Sequence, residues 1–321
     1  MSGKQAVHFS PRLVTAHRYE RLRYCRTCGS VTSLRGETCP SCRRTGTLLP
    51  LSRMGAGRIR LRRLAEAVVL VLAAVAAVAF AANPLERTVV AVLGAGALSV
   101  YFYLLRRYAD SFAPYRLHRL LLDETDRIAE GLATDERAAE ADYEADRYRE
   151  CYEKLREIGE FIWTDRIRYN KVICLDRFVL RKDMDLELES VVPQRFNKLF
   201  VRYLWEVSKV NRPLIRERTL DYALRFRGDI EKLPYGPEVM TNIASAALRS
   251  QANLGACEYL LADYAVALPR DRFLRLCRLL ASTRGYYPTL AARTAEIART
   301  RYAGDKEVER AAGAIGQASW R

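Results

Sequence analysis

The stretch LAEAVVLVLAAVAAVAFAANPLERTVVAVLGAGALSVYFYLL, residues 64–105, decides the fold. Residues 67–82 carry no polar side chain, and residues 88–105 carry only Thr88, Ser99, Tyr101 and Tyr103. Between them Asn83-Pro84-Leu85-Glu86-Arg87 forms a compact breaker that holds both charges of the interval. Crossing a hydrocarbon core of about 30 Å takes a helix of about 20 mainly apolar residues. Residues 64–82 and 88–105 each come close to that length. Backbone in lipid must satisfy its own hydrogen bonds, so the expected structure is a two-helix transmembrane hairpin.

Charge at the membrane ends sets the direction of insertion. Arg53, Arg58, Arg60, Arg62 and Arg63 precede the first span, and Arg106, Arg107, Arg116 and Arg119 follow the second. The turn holds only Arg87, offset by Glu86. An integral membrane protein with both termini in the cytoplasm is expected, in the cytoplasmic membrane. The first 63 residues are polar and basic, unlike a cleavable signal. No ionisable side chain lies deeper than Glu66, so an ion or proton pathway through the spans is not expected. Small residues recur at Ala73, Ala77, Ala81 and at Ala91, Ala95, Ser99, a spacing that lets helix backbones approach. Packing of the two spans on each other is the plainer reading; a homo-oligomer is the sharper one.

The net charge of +15 is unevenly placed. Residues 1–63 hold 14 Lys and Arg against 2 Asp and Glu, whereas residues 108–321 hold 36 against 34. Basic chain beside a membrane is drawn to anionic headgroups, and the same charge attracts nucleic acid. Arg43, Arg44, Arg53, Arg58, Arg60, Arg62 and Arg63 are the candidate contacts for either partner. Lipid is favoured because Arg53–Arg63 abut the first span.

Of eight cysteines, four are paired as Cys25-Arg-Thr-Cys28 and Cys39-Pro-Ser-Cys42. Two such pairs supply four thiolates for one tetrahedral zinc ion. The stretch YCRTCG…TCPSCR resembles the zinc-ribbon family over roughly residues 22–50. The resemblance implies that Cys25, Cys28, Cys39 and Cys42 bind one structural Zn2+. Glycine often follows both knuckles in that family; here Gly29 follows the first and Arg43 the second. A closed four-thiolate site leaves no open position for catalysis, and a reducing compartment argues against disulfides. Cys151, Cys174, Cys257 and Cys277 read as ordinary buried thiols.

After residue 107 the chain turns into amphipathic helices. Residues 115–131 and 148–163 show helical spacing, and residues 134–153 are rich in alternating charge. Lys182–Ser190 alternates Asp183, Asp185, Glu187 and Glu189 with Met184, Leu186 and Leu188, the pattern of a short half-buried strand with an acidic face. A divalent cation on those acids is a weaker reading than a solvated face. From Pro193 onward, seven helices with short Pro- and Gly-marked breaks are expected, in an alpha-solenoid-like layout.

Four regions are therefore expected: residues 1–52, a zinc ribbon with basic flanks; 53–107, a basic segment and the hairpin; 108–192, a membrane-proximal helical region admitting short strands; and 193–321, a helical-repeat-like domain. The fold class is mainly α, with a small zinc ribbon. No Gly-rich phosphate loop, HExxH or GxSxG occurs, and the three histidines, His8, His17 and His118, lie in no catalytic pattern. The expected function is a non-enzymatic membrane-anchored adaptor or scaffold that docks an unknown cytosolic protein. The alternatives are a membrane-tethered nucleic-acid binder and an oligomerising hairpin effector.

Overall fold

The computed structural model describes residues 4–54, 56–80, 83–107, 113–283 and 286–317. Side chains 56–60, 62–63, 105–106, 113–117 and 316–317 lie outside that description. The chain is mostly helical, with one small sheet. It divides into two compact units, Leu13–Ala141 and a second built from Met1–Arg12 together with Asp142–Arg321.

The first unit begins with three antiparallel strands, β1 (Arg23–Cys25), β2 (Val31–Thr32) and β3 (Leu48–Pro50), in the order β2-β1-β3. Tyr24 pairs with Val31 on one side and Leu49 on the other. Strands this short are not stable alone, and side chains support them. The Arg23 guanidinium donates to the carbonyls of Arg35, Gly36 and Leu48. Two long helices follow, α1 (Ala56–Phe80) and α2 (Pro84–Arg107), then α3 (Ala113–Asp123) and α4 (Thr125–Glu144).

Within α2, Pro84–Leu104 is long and apolar enough to cross a membrane. The apolar part of α1, Leu64–Phe80, is shorter, and residues 81–82 of the expected span lie outside the described residues. The two helices touch along Ala67, Ala74 and Val78 on α1 and Val90, Gly94, Leu98 and Tyr101 on α2, the half-buried positions of each. A Cβ on Gly94 would sit 3.4 Å from that of Ala74. This corrects the expected packing stripes: Ala73, Ala77, Ala91, Ala95 and Ser99 are all exposed.

Helix α4 is fastened to the sheet. Asp135, fully buried, accepts from the Thr32 hydroxyl at 2.7 Å and from the Ser33 amide and hydroxyl at 2.7 and 2.9 Å. One turn earlier Gly131 lies against the Val31 carbonyl, where a Cβ would approach its oxygen to 2.0 Å. Only glycine allows that approach.

In the second unit α5 (Tyr148–Ile158), α6 (Asp165–Asp176), α7 (Lys198–Val210), α8 (Glu217–Arg225), α9 (Arg227–Glu231), α10 (Gly236–Ala247), α11 (Asn253–Ala256), α12 (Glu258–Tyr264), α13 (Arg270–Ser282), α14 (Pro288–Arg301) and α15 (Lys306–Gln317) pack one after another. Contacts run α5 to α6, α6 to α7, α7 to α10, α10 to α12, α12 to α14 and α14 to α15. The buried Val239, Met240, Ile243 and Ala247 of α10 supply the middle of this core.

Residues 4–12 lie on this helical unit as an extended strap. Gln5 exchanges backbone hydrogen bonds with Arg177 and Val179 at 2.9 Å each. Phe9 packs on Tyr152 and Phe178, and Ser10 accepts from the buried Arg156. Arg12 ends the strap on Glu187.

Lys182–Ser190 is not a strand, contrary to its alternation, and no strand forms among the described residues of 108–192. Its acids are drawn to different partners rather than aligned on one face. Glu187 is buried between Lys171 and Arg12. Glu189 accepts from the backbone amides of Arg216, Arg218 and Thr219 at the start of α8. Asp183 pairs with Arg181. The acids are spent on cations and amides, which leaves no oxygen cluster for a divalent ion.

Candidate metal centre

The four sulfurs of Cys25, Cys28, Cys39 and Cys42 lie within 4.8 Å of one another. Two contacts are 3.7 Å, Cys25 to Cys42 and Cys28 to Cys39. Zinc–thiolate bonds of about 2.3 Å in a tetrahedron separate the sulfurs by about 3.8 Å. The spacing therefore matches four ligands around a single ion, and the cluster is compatible with a zinc-binding module.

Two knuckles build it. In the first, the Gly29 amide donates to the Cys25 carbonyl at 2.9 Å; in the second, the Arg43 amide donates to the Cys39 carbonyl at 2.9 Å. Both turns close on a left-handed residue, Gly29 at φ +74° and Arg43 at φ +57°. The second knuckle thus takes the conformation usual for glycine while carrying a Cβ. Cys25 ends β1, and its register partner Leu48 packs with Cys25 and Cys39 in a small apolar cluster.

Hydroxyls surround the sulfurs. Thr47 lies 3.2 Å from Cys25 Sγ, and Ser30 lies 3.1 Å from Cys28 Sγ and 3.3 Å from Cys39 Sγ. Such partners orient ligands and stabilise thiolates. Burial opposes ionisation of Cys25, but the Thr47 hydroxyl and the backbone amides of Cys28 and Thr27 outweigh it and bring the thiol down to about 5. Burial likewise opposes ionisation of Cys39, and the Cys42 amide and Ser30 hydroxyl reverse the sign. Cys42 is pushed up to about 11: the Arg44 amide favours its thiolate, but burial and its three sulfur neighbours oppose it more strongly. Four thiolates at this distance repel one another, and a dication removes that repulsion.

The basic residues fall into two groups. Arg43, Arg44 and Arg53 are exposed and make no ion pair among the described residues. Arg58, Arg60, Arg62 and Arg63 fall at the start of α1, and their side chains lie outside the described residues. Several other arginines of the segment are committed internally: Arg12 to Glu187 and Arg21 to the Leu13 carbonyl, as well as Arg23 in the sheet.

Two features escaped sequence reasoning. Asp135 is one of many acids in a charge-rich helix, and nothing local marks it as a buried anchor. Cys151 and Cys174, read as scattered thiols, bring their buried sulfurs to 3.5 Å. Compared with known protein families, with curated proteins and with solved structures, the chain matches none.

Proposed function

We propose that this chain is a non-enzymatic adaptor held on the cytoplasmic face of a membrane by the α1–α2 hairpin. In this reading its four-cysteine module binds one structural zinc ion. The ribbon and the solenoid-like run of helices offer docking surfaces to a cytosolic protein.

One observation carries the membrane part. The large apolar side chains of α1 and α2 are uncovered by protein, among them Leu64, Val69 and Val75 on α1 and Leu85, Val92 and Leu93 on α2. An apolar surface of that extent is stable only against lipid or another apolar body. The bond from Asp135 to Thr32 and Ser33 supports a hairpin over a single crossing. It joins chain before α1 to chain after α2, so the number of crossings between them is even.

The adaptor reading is tested with the full-length chain in neutral-lipid nanodiscs. Membrane extract is passed over immobilised protein at increasing load. A stoichiometric, saturable protein partner, lost or weakened in Cys25→Ser or in a surface variant of the helices, is expected. Turnover of a substrate, or no saturable partner, overturns it.

A second reading follows from Arg43, Arg44 and Arg53, exposed and without acidic partners among the described residues. The basic segment then holds nucleic acid rather than headgroups. Binding of single-stranded nucleic acid by the full-length chain would weaken steeply with added salt. Absence of binding at low salt removes this reading.

A further inference from the structure

Arginines elsewhere in the helical unit are mostly matched to acids: Arg202 to Asp176, Arg227 to Glu231 and Asp263, Arg270 to Asp305 and Glu307. Among the arginines without a recorded acid partner, one group gathers from three helices. Arg216 is the residue capping the start of α8, Arg249 lies just past the end of α10, and Arg272 and Arg275 stand one turn apart on α13.

Two hydrogen bonds link the positions of Arg216, Arg249 and Arg275, and Arg272 lies close enough to act on Arg249 through its charge. Arg249 donates from Nη2 to the Ile215 carbonyl at 2.5 Å, which brings its guanidinium beside Arg216. Arg275 donates from Nη2 to the Arg249 carbonyl at 3.0 Å. None of the four makes an ion pair among the described residues, and the Arg216 and Arg272 guanidiniums make no hydrogen bond there either. Glu189, the carboxylate at the start of α8, is engaged by backbone amides. Arg216 and Arg275 are exposed, and Arg249 and Arg272 half-buried.

Four like charges held in one place by the fold repel one another. Burial and the neighbouring Arg272, Arg216 and Arg275 all push the Arg249 guanidinium below its ordinary value, with no acid counteracting them. An anion relieves that repulsion. Guanidinium presents a rigid fork of donors that matches phosphate oxygens two at a time, and a patch of one sign gathers such ligands from solution.

We propose that Arg216, Arg249, Arg272 and Arg275 form a binding site for a phosphoryl group, borne either by a soluble phosphate or by a lipid headgroup. The chemistry recognised is the same, and the experiment separates the two sources.

The test uses the full-length chain in phosphatidylcholine nanodiscs at low ionic strength. Trp163 and Trp205 belong to the helical unit and no tryptophan occurs in residues 13–141, so thermal unfolding followed by tryptophan fluorescence reports that unit. One arm titrates inorganic pyrophosphate; the other adds phosphatidate to the nanodisc. The variant Arg216→Gln/Arg275→Gln removes the two exposed members and keeps Arg249, which braces the Ile215 carbonyl. Arg299→Gln/Arg310→Gln, two exposed arginines of α14 and α15, controls for net charge.

Saturable stabilisation is expected in at least one arm, with apparent affinity lowered about tenfold or more in Arg216→Gln/Arg275→Gln and unchanged in the control. Stabilisation by pyrophosphate assigns a soluble ligand, and stabilisation by phosphatidate alone assigns a headgroup. No stabilisation in either arm, or an equal loss in both variants, overturns the site.

Discussion

Arg43 sits where the second knuckle needs a left-handed backbone, at φ +57°. A side chain in that conformation costs roughly 1–2 kcal/mol that glycine avoids. Arg43→Gly should therefore stabilise the metal-loaded ribbon by about 1 kcal/mol, offset in part by the freer unfolded chain. The midpoint of chelator-induced unfolding would rise; a lower midpoint would show that the Arg43 side chain contributes more than its backbone costs. The sulfurs set a second prediction. Protons compete with metal for thiolates, so zinc affinity should fall as pH is lowered. Cys39→Ser should abolish stoichiometric zinc in elemental analysis, whereas Cys257→Ser, in the other unit, should leave it intact.

Glu187 makes a third prediction at this scale. Burial would raise its pKa, but Lys171 and Arg12 outweigh that and hold it below the ordinary value of 4.5. A carboxylate depressed on folding adds stability above its unfolded pKa, and loses it as pH falls through the folded one. Unfolding of the helical unit, read by tryptophan fluorescence, should become easier below about pH 4.5. Glu187→Gln should melt lower than wild type at pH 7, where it strands two cations, and that gap should close in acid. A gap that stays constant with pH would remove Glu187 from the linkage.

Among the elements, the join between α4 and the three-stranded sheet decides most. Asp135→Ala leaves the Thr32 hydroxyl and the Ser33 amide without their buried acceptor, at about 1–3 kcal/mol for each group. The ribbon should still bind metal in that variant but lose protection of the Val31–Ser33 amides in hydrogen exchange. Gly131→Ala should act alike, because its Cβ has no room beside the Val31 carbonyl. Unchanged exchange in both would mean that α4 does not hold the ribbon.

Elements were legible where the signal is local. The knuckle spacing named four cysteines that the fold brings together, and the apolar runs of 64–80 and 88–105 correspond to long helices. Contacts between elements were not. The Ala73 and Ala91 stripes follow a small-residue rule, but helix crossing placed Ala74 against Gly94 instead. The alternation in Lys182–Ser190 imitates a strand, yet Glu187 and Glu189 are pulled toward cations and amides contributed by distant chain. Those partners stand at separations of 16 to 175 residues, and that of Asp135 at 103, so they leave no periodic trace.

For the whole molecule, the proposed topology rests on counting. Thr32 and Ser33 precede α1, and Asp135 follows α2, yet they share hydrogen bonds. If α2 crosses the bilayer, its return path must be α1, even though the apolar part of α1 is the shorter. The Asn83–Arg87 turn then emerges outside, and the ribbon and helical unit remain inside. A cysteine placed in the turn by Glu86→Cys should react with a membrane-impermeant maleimide on intact cells. One placed by Arg53→Cys should react only after permeabilisation. Labelling of both positions from outside would break the hairpin, and labelling of Arg53→Cys alone would invert it. If neither variant reacted with intact cells while both reacted after lysis, α2 would not cross at all. Its exposed apolar face would then need cover from protein rather than lipid.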